Sequence, residues 1–144
     1  MLELWVKMDH IIIDAKDVVV GRLASYAAKQ ALLGKKVDII NCEQAIVTGN
    51  RKNLIEHYKQ KVHRGNVFKG PFIGRSPDRL VRRIVRGMLP FKKSRGRNAF
   101  RNVMCYNKIP DSLKDAKAIT LKEASISKLS SLNYMKIKEL SRLL

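Results

Sequence analysis

The residues best placed to do chemistry in this sequence are four arginines between positions 79 and 86. At roughly 100° of rotation per residue, Arg79, Arg82, Arg83 and Arg86 fall within an arc about 100° wide. Leu80, Val81, Ile84, Val85 and Met88 fall on the other side. A helix over 78–88 therefore buries one face and displays four guanidinium groups on the other. Guanidinium groups on a packed helix are fixed planar donors for phosphate oxygens, where lysines would be mobile point charges. The chemistry is anion binding, and the ligand it fits is a phosphate backbone.

The other reactive side chains do not assemble a reaction. His10, His57 and His63 have no spacing that puts two metal ligands on one face; His57 and His63, six apart, are separated by about 240° around a helix. Cys42 and Cys105 are the two cysteines, too few for a disulfide framework and without the paired spacing of a zinc site, so they read as small core residues in a reducing compartment. Asp14 and Asp38 could form a carboxylate pair, but Asp at strand ends more often bonds local backbone, and that reading is preferred. Gly21 after a strand raises the dinucleotide-binding fingerprint, which needs three spaced glycines; only Gly21 precedes Gly34. Gly70 to Gly74 lacks the lysine and the helix start of a phosphate-binding loop. No catalytic residue, metal or cofactor is expected.

Charge points the same way as the arginines. Residues 1–50 carry six basic and six acidic side chains, residues 51–101 carry sixteen and two, and residues 102–144 carry eight and four, of a total net charge of +18. A solvated face mixes both signs, yet the middle segment holds only Glu56 and Asp78 as acids. Such a one-signed surface is what a polyanion rewards, because each neutralised phosphate releases condensed counterions. With 45% hydrophobic residues the chain has enough apolar content to fold. A membrane surface would need a broad exposed apolar face that this sequence spends on its core, and no stretch approaches a membrane span. Met1 to His10 has no basic segment before an apolar run and does not read as a secretory signal.

The elements that must position these groups are those of a single α/β domain, with a core of about 9–120 and a basic segment at 51–101. Ile11 to Ile13 reads as a buried parallel strand ending at Asp14. Asp17 is the expected N-cap of a helix running from Gly21 to Leu33 and stopped by Gly34. Val37 to Ile40 and Ala45 to Val47 read as further strands, so that strand, helix and strand form a right-handed crossover. Asn50 caps a helix in which Leu54, Ile55, Tyr58 and Val62 should face the core. Residues 64–77 are loop, with Gly65, Gly70, Pro71, Gly74 and Pro77. Pro90 ends the arginine helix.

Phe91 to Phe100 reads as a basic arm with too little apolar content to fold without RNA. Ala99, Phe100, Val103 and Met104 suggest a short returning helix, Met104 to Tyr106 the start of a strand, and Ala118 to Leu121 a weak strand. Tyr134 to Leu144 reads as a C-terminal helix with Ile137, Leu140 and Leu144 on one side. The candidate phosphate contacts are Arg51, Lys52, Lys59, Arg64, Lys69, Arg75, Arg79, Arg82, Arg83, Arg86, Lys92, Lys93, Arg95, Arg97 and Arg101.

Ile13-Asp14-Ala15, Gly21-Arg22-Leu23-Ala24-Ser25, Thr48-Gly49 and Arg86-Gly87-Met88-Leu89-Pro90, in that order, resemble the universal large-subunit ribosomal protein family numbered thirteen. The Gly-Met-Leu-Pro element after an arginine-rich helix is the most specific of these. Lys35-Lys36 after Gly34 and the missing His-Pro-His element near the carboxyl end resemble the archaeal and eukaryotic branch. The resemblance implies a three-layer α/β/α fold with a small, mainly parallel sheet of about four strands and basic loop and arm extensions. It implies no enzymatic activity, and a cytoplasmic place in the large subunit as a monomer bound to ribosomal RNA and neighbouring proteins. The competing readings are an RNA-modifying or nucleotide-binding enzyme with a pocket near Asp14 and Gly21, and a messenger-RNA regulator outside the ribosome.

Overall fold

The computed structural model describes residues 9–144; the opening segment read above as lacking a secretory signal lies, through Met8, outside the described residues. Four strands, β1 (His10–Asp14), β2 (Lys36–Ile40), β4 (Val103–Cys105) and β5 (Ile119–Thr120), form an all-parallel sheet in the order β4-β2-β1-β5. β-branched residues dominate its centre: Ile13 pairs with Ile39, and Val37 with Val103. Both faces of β1 and β2 are covered, so Ile12, Ile13, Val37, Ile39 and Ile40 are all buried, as the near-continuous apolar runs require.

Helix α1 (Val20–Leu32) crosses from β1 to β2. Val20, Leu23, Ala24, Ala27, Ala28 and Ala31 recur at helical spacing and are buried. Four of these six are alanines, whose small side chains let the helix axis approach the sheet and the neighbouring helices closely. Gly34 then turns the chain with φ 88°, a conformation glycine adopts without penalty. Asp17 is not the N-cap. Val19 occupies that position with no side-chain cap, because residues 17–19 are committed elsewhere. Asp17, at φ 54°, donates its N–H to Gln44 O over 3.2 Å, while Val18 and Val19 make single bridges to Ser125 and Ile46.

The third strand, β3 (Ile46–Thr48), stands apart from the main sheet. It pairs antiparallel with β6 (Tyr134–Lys136), bringing Val47 opposite Met135. The C-terminal helix expected from Tyr134 is correspondingly shorter. Its first three residues are strand, and α5 spans Ile137–Leu143 with Ile137 and Leu140 buried as expected.

Helix α2 (Arg51–His63) begins where Asn50 accepts the N–H of Lys52 at 3.0 Å. The core face expected for it is not buried: Leu54, Ile55, Tyr58 and Val62 are only partly covered, and none of its residues is fully buried. Its one contact with the main apolar cluster is Tyr58, whose hydroxyl is pushed above its ordinary pKa by burial.

Helix α3 (Pro77–Gly87) places Leu80, Val81 and Val85 in the core. Pro77 sits in the first turn, where a missing N–H costs nothing, and Asn107 accepts the N–H of Asp78 at 2.9 Å. The segment after Pro90 is not an arm awaiting RNA. Residues Ser94–Arg101 form helix α4, docked through buried Gly96 and Ala99. A side chain at Gly96 would place its Cβ 2.1 Å from the carbonyl oxygen of Pro90, so the absence of a Cβ permits this contact. Glycine and alanine achieve by close approach what the segment lacks in apolar bulk. The returning helix expected over Ala99 to Met104 divides between the end of α4 and β4.

Helices α1, α3 and α4 pack on the sheet face formed by Ile13, Val37, Ile39, Val103 and Cys105. The other face carries Ile12, Asp38 and Ile40, and the β4 to β5 connection contributes a single 3-10 turn, Asp111–Leu113.

Candidate nucleic-acid interface

The outer face of α3 is the arginine face that the periodicity anticipates. Arg79, Arg83 and Arg86 are exposed and Arg82 is half-buried. All four line one open groove with Phe91 and Phe100. Arg79 is steadied from below: its stem lies over Gly74, where a Cβ would come within 2.6 Å of its Cδ. Leu80, Val81 and Val85 hold the helix against the core, so the guanidinium groups are presented by a rigid support.

Two of these arginines rest on aromatic rings. The guanidinium of Arg82 lies 4.1 Å from the ring centroid of Phe100, and that of Arg86 lies 4.1 Å from the centroid of Phe91. The two rings meet edge to face, with centroids 5.5 Å apart at 85°. Arg82 also donates from Nε to the carbonyl of Val103 at 3.1 Å and from an Nη to that of Phe100 at 3.5 Å. Arg82 is therefore a bracket between α3, the end of α4 and β4 as well as a surface charge. Stacking on a ring fixes a guanidinium plane while leaving its charge unneutralised. Phe91 and Phe100 are the members of this groove that the sequence did not single out; their placement depends on how α4 docks.

Of the fifteen candidate phosphate contacts, fourteen are exposed and Arg82 alone is half-buried. Among the described residues, Arg51 is the one candidate in an ion pair, with Glu139 of α5. The ion pairs of Lys114 with Asp111 and of Lys136 with Asp17 lie outside the basic segment. Lys52 and Lys59 stand on α2, Arg64, Lys69 and Arg75 on the loop after it, and Lys92 and Lys93 on the turn before α4. Arg95, Arg97 and Arg101 ride on α4. The lysine pair extends the arginine groove, since Lys92 and Lys93 border the same surface as Arg83, Arg86 and Phe91.

The other titratable groups are used structurally. Asp14 Oδ1 accepts the N–H of Lys16 and the Nδ2 of Asn41, both at 3.0 Å, as expected for a carboxylate bonding local groups. Asp38, buried on β2, pairs with His10 Nε2 at 2.7 Å, so the two aspartates form no dyad. Cys42 and Cys105 are free and buried. A hydrogen bond that the Cys105 thiol donates to Cys42, together with burial, raises its pKa well above the ordinary value, the reverse of what a nucleophile needs. Among the described residues no three metal-ligating side chains cluster, and no helix is long and apolar enough to cross a membrane.

Comparison with known proteins decides the family. Residues 8–112 match the family model described as ribosomal protein L13. The chain belongs to the ribosomal protein L13 family. It is 44% identical over 132 residues to the large ribosomal subunit protein uL13 of Methanopyrus kandleri, covering 90% of this chain and 83% of the relative. It is 39% identical over 132 residues to that of Methanosarcina barkeri (91% and 94% covered), and 39% identical over 137 residues to that of Archaeoglobus fulgidus (94% and 88% covered). The L13-matched region takes in β1 to β4 and the whole arginine groove, including Phe91 and Phe100. The β5 strand, the β6 partner of β3, and α5 follow it.

Proposed function

We propose that this chain is a structural constituent of the large ribosomal subunit, binding and stabilising folded ribosomal RNA during assembly and in the finished particle. The observation that carries this reading is the α3 surface: four arginines on one packed helix, none paired with a carboxylate among the described residues, two of them stacked on aromatic rings. Its family membership supplies the partner. Fifteen of the sixteen basic side chains from Arg51 to Arg101, all but Lys61, are its contacts, with α3 and α4 supplying the rigid part and the α2 region the outlying part. RNA helices keep their base edges in a deep, narrow groove, so such a surface recognises the arrangement of phosphates and 2′-hydroxyls. The chain acts as one unit, as a single copy beside neighbouring large-subunit proteins in the cytoplasm, and catalyses no reaction.

Sucrose-gradient sedimentation of a lysate from the source cells tests the assignment. The chain should travel with large subunits and leave them at high salt; recovery at the top of the gradient under low salt would count against it. Binding to protein-free large-subunit RNA should weaken by orders of magnitude between about 50 and 200 mM salt if six to ten cations reach phosphates.

A further inference from the structure

We propose that the loop between α2 and α3 is a second, chemically different RNA contact, in which Phe68 and Phe72 stack on unpaired bases while the arginine groove holds phosphates. This rests on the ribosomal reading above and adds to it the kind of RNA element recognised. Phe68 is 89% exposed, Val67 85% and Phe72 76%, an aromatic and apolar tip in open solvent on an otherwise charged segment.

The tip is built, not slack. Asn66 and Gly70 exchange two backbone hydrogen bonds, at 3.2 and 2.8 Å, and Asn66 Oδ1 accepts the N–H of Phe68 at 3.1 Å. Gly65 and Gly70 adopt φ 90° and 79°, and a Cβ on Gly65 would fall 1.9 Å from the Gly70 carbonyl oxygen. This closed turn drives the Phe68 ring outward, and the Phe72 ring lies against Gly70, 3.0 Å from where a Cβ would be. The base of the loop is anchored, with Ile73 in a recess shared with Tyr58 and Leu80, and the Arg75 carbonyl accepting Ser141 Oγ at 2.6 Å.

Charge selects the occupant. The tip is bracketed by Arg64, Lys69 and Arg75, and no acidic residue occurs between Glu56 and Asp78. Gly74 lies beneath Arg79, so the loop is continuous with the arginine face. RNA resting on that face therefore reaches the tip, where two rings offer stacking platforms and three cations offer partners for the adjoining phosphates. Proteins recognise RNA loops and bulges in this way, by stacking splayed bases on aromatic rings.

The test uses the full chain and protein-free large-subunit RNA extracted from the source cells, with the F68L, F72L and F68W variants and R83A as a phosphate control. Each leucine variant should lose roughly tenfold in affinity, the scale of one base stack, with the slope of log affinity against log salt unchanged because no charge is removed. F68W should retain affinity, and ultraviolet crosslinking should join RNA to the peptide carrying Phe68 or Phe72. Both rings are exposed, so unaltered melting temperatures should accompany these losses. Wild-type affinity in both leucine variants, or crosslinking of the tip to a neighbouring protein in intact subunits, overturns the inference, while salt-dependent binding whose slope falls by about one in R83A leaves the ribosomal reading standing. Absence of salt-dependent binding by the wild-type chain overturns both.

Discussion

The guanidinium of Arg82 lies 4.1 Å above the ring of Phe100 while its Nε binds the carbonyl of Val103, so one side chain ties α3 to the end of α4 and to the sheet. Arg83, its neighbour in sequence, is exposed and makes no ion pair among the described residues. Adjacent arginines thus differ: Arg82 is tied into the fold, and Arg83 leaves its charge at the surface.

Substitution should separate these two roles. Arg82→Ala removes the donor from two backbone carbonyls and a cation from a ring, and should cost about 1–3 kcal/mol in urea denaturation. Arg83→Ala should leave the urea midpoint unchanged and lower the slope of log affinity against log salt by about one. Equal effects of the two on stability would contradict the division.

Gly96 tests whether α4 is held by close approach. Gly96→Val puts a branched side chain where even a Cβ would sit 2.1 Å from the Pro90 carbonyl oxygen. We expect a loss of about 1–3 kcal/mol or more from this overpacking. Increased amide exchange across Ser94–Arg101 should accompany it, with α1 protected.

Helix α2 should be the least protected helix, because none of its residues is fully buried. Asn50→Ala removes the side-chain acceptor of the Lys52 N–H and should cost about 1 kcal/mol of local stability. Hydrogen exchange should quicken over 51–63 while the sheet amides stay slow.

Alkaline pH should destabilise the fold through Cys105 and Tyr58. Both hold their protons more tightly when folded, the thiol through its hydrogen bond with Cys42 and burial, the phenol through burial. Above the ordinary thiol pKa of about 8.5 the unfolded chain binds fewer protons than the folded one, so stability falls as pH rises. Urea midpoints measured from pH 7 to 10.5 should decline from about pH 8.5 onward, and Cys105→Ala should flatten the first part of that decline. The same burial should keep both thiols unreactive toward a maleimide at pH 7.5 until the protein unfolds.

The groups legible in the sequence were those set by local period. The arginine face of α3 follows from one helix's geometry, and the β1-α1-β2 unit follows from an isoleucine run, an alanine-rich stretch and Gly34. What stayed hidden depends on contacts between distant residues. The fold of 94–101 turns on Gly96 meeting Pro90 across a turn, and Asp17 loses its capping role because its backbone bonds Gln44. The extended conformation of Tyr134–Lys136 exists because β3 offers it a partner nearly ninety residues earlier, whereas its own composition suits a helix. The Phe91 and Phe100 platforms fell in the same class. Two phenylalanines in a basic stretch signal nothing until α4 brings them under the arginines.

The pairing of β3 with β6 has a consequence for biosynthesis. Ile46 to Thr48 leave the site of peptide synthesis long before Tyr134 to Lys136 do, and they wait without their antiparallel neighbour until residues 134–136 emerge. The nascent protein can gather its parallel strands and its cationic helices first, but the Ala45 carbonyl receives the Ile137 N–H only once residue 137 has been made. Closure of this pair is therefore a late checkpoint, and a chain cut short before residue 134 would leave β3 an unmatched strand edge open to pairing with other chains.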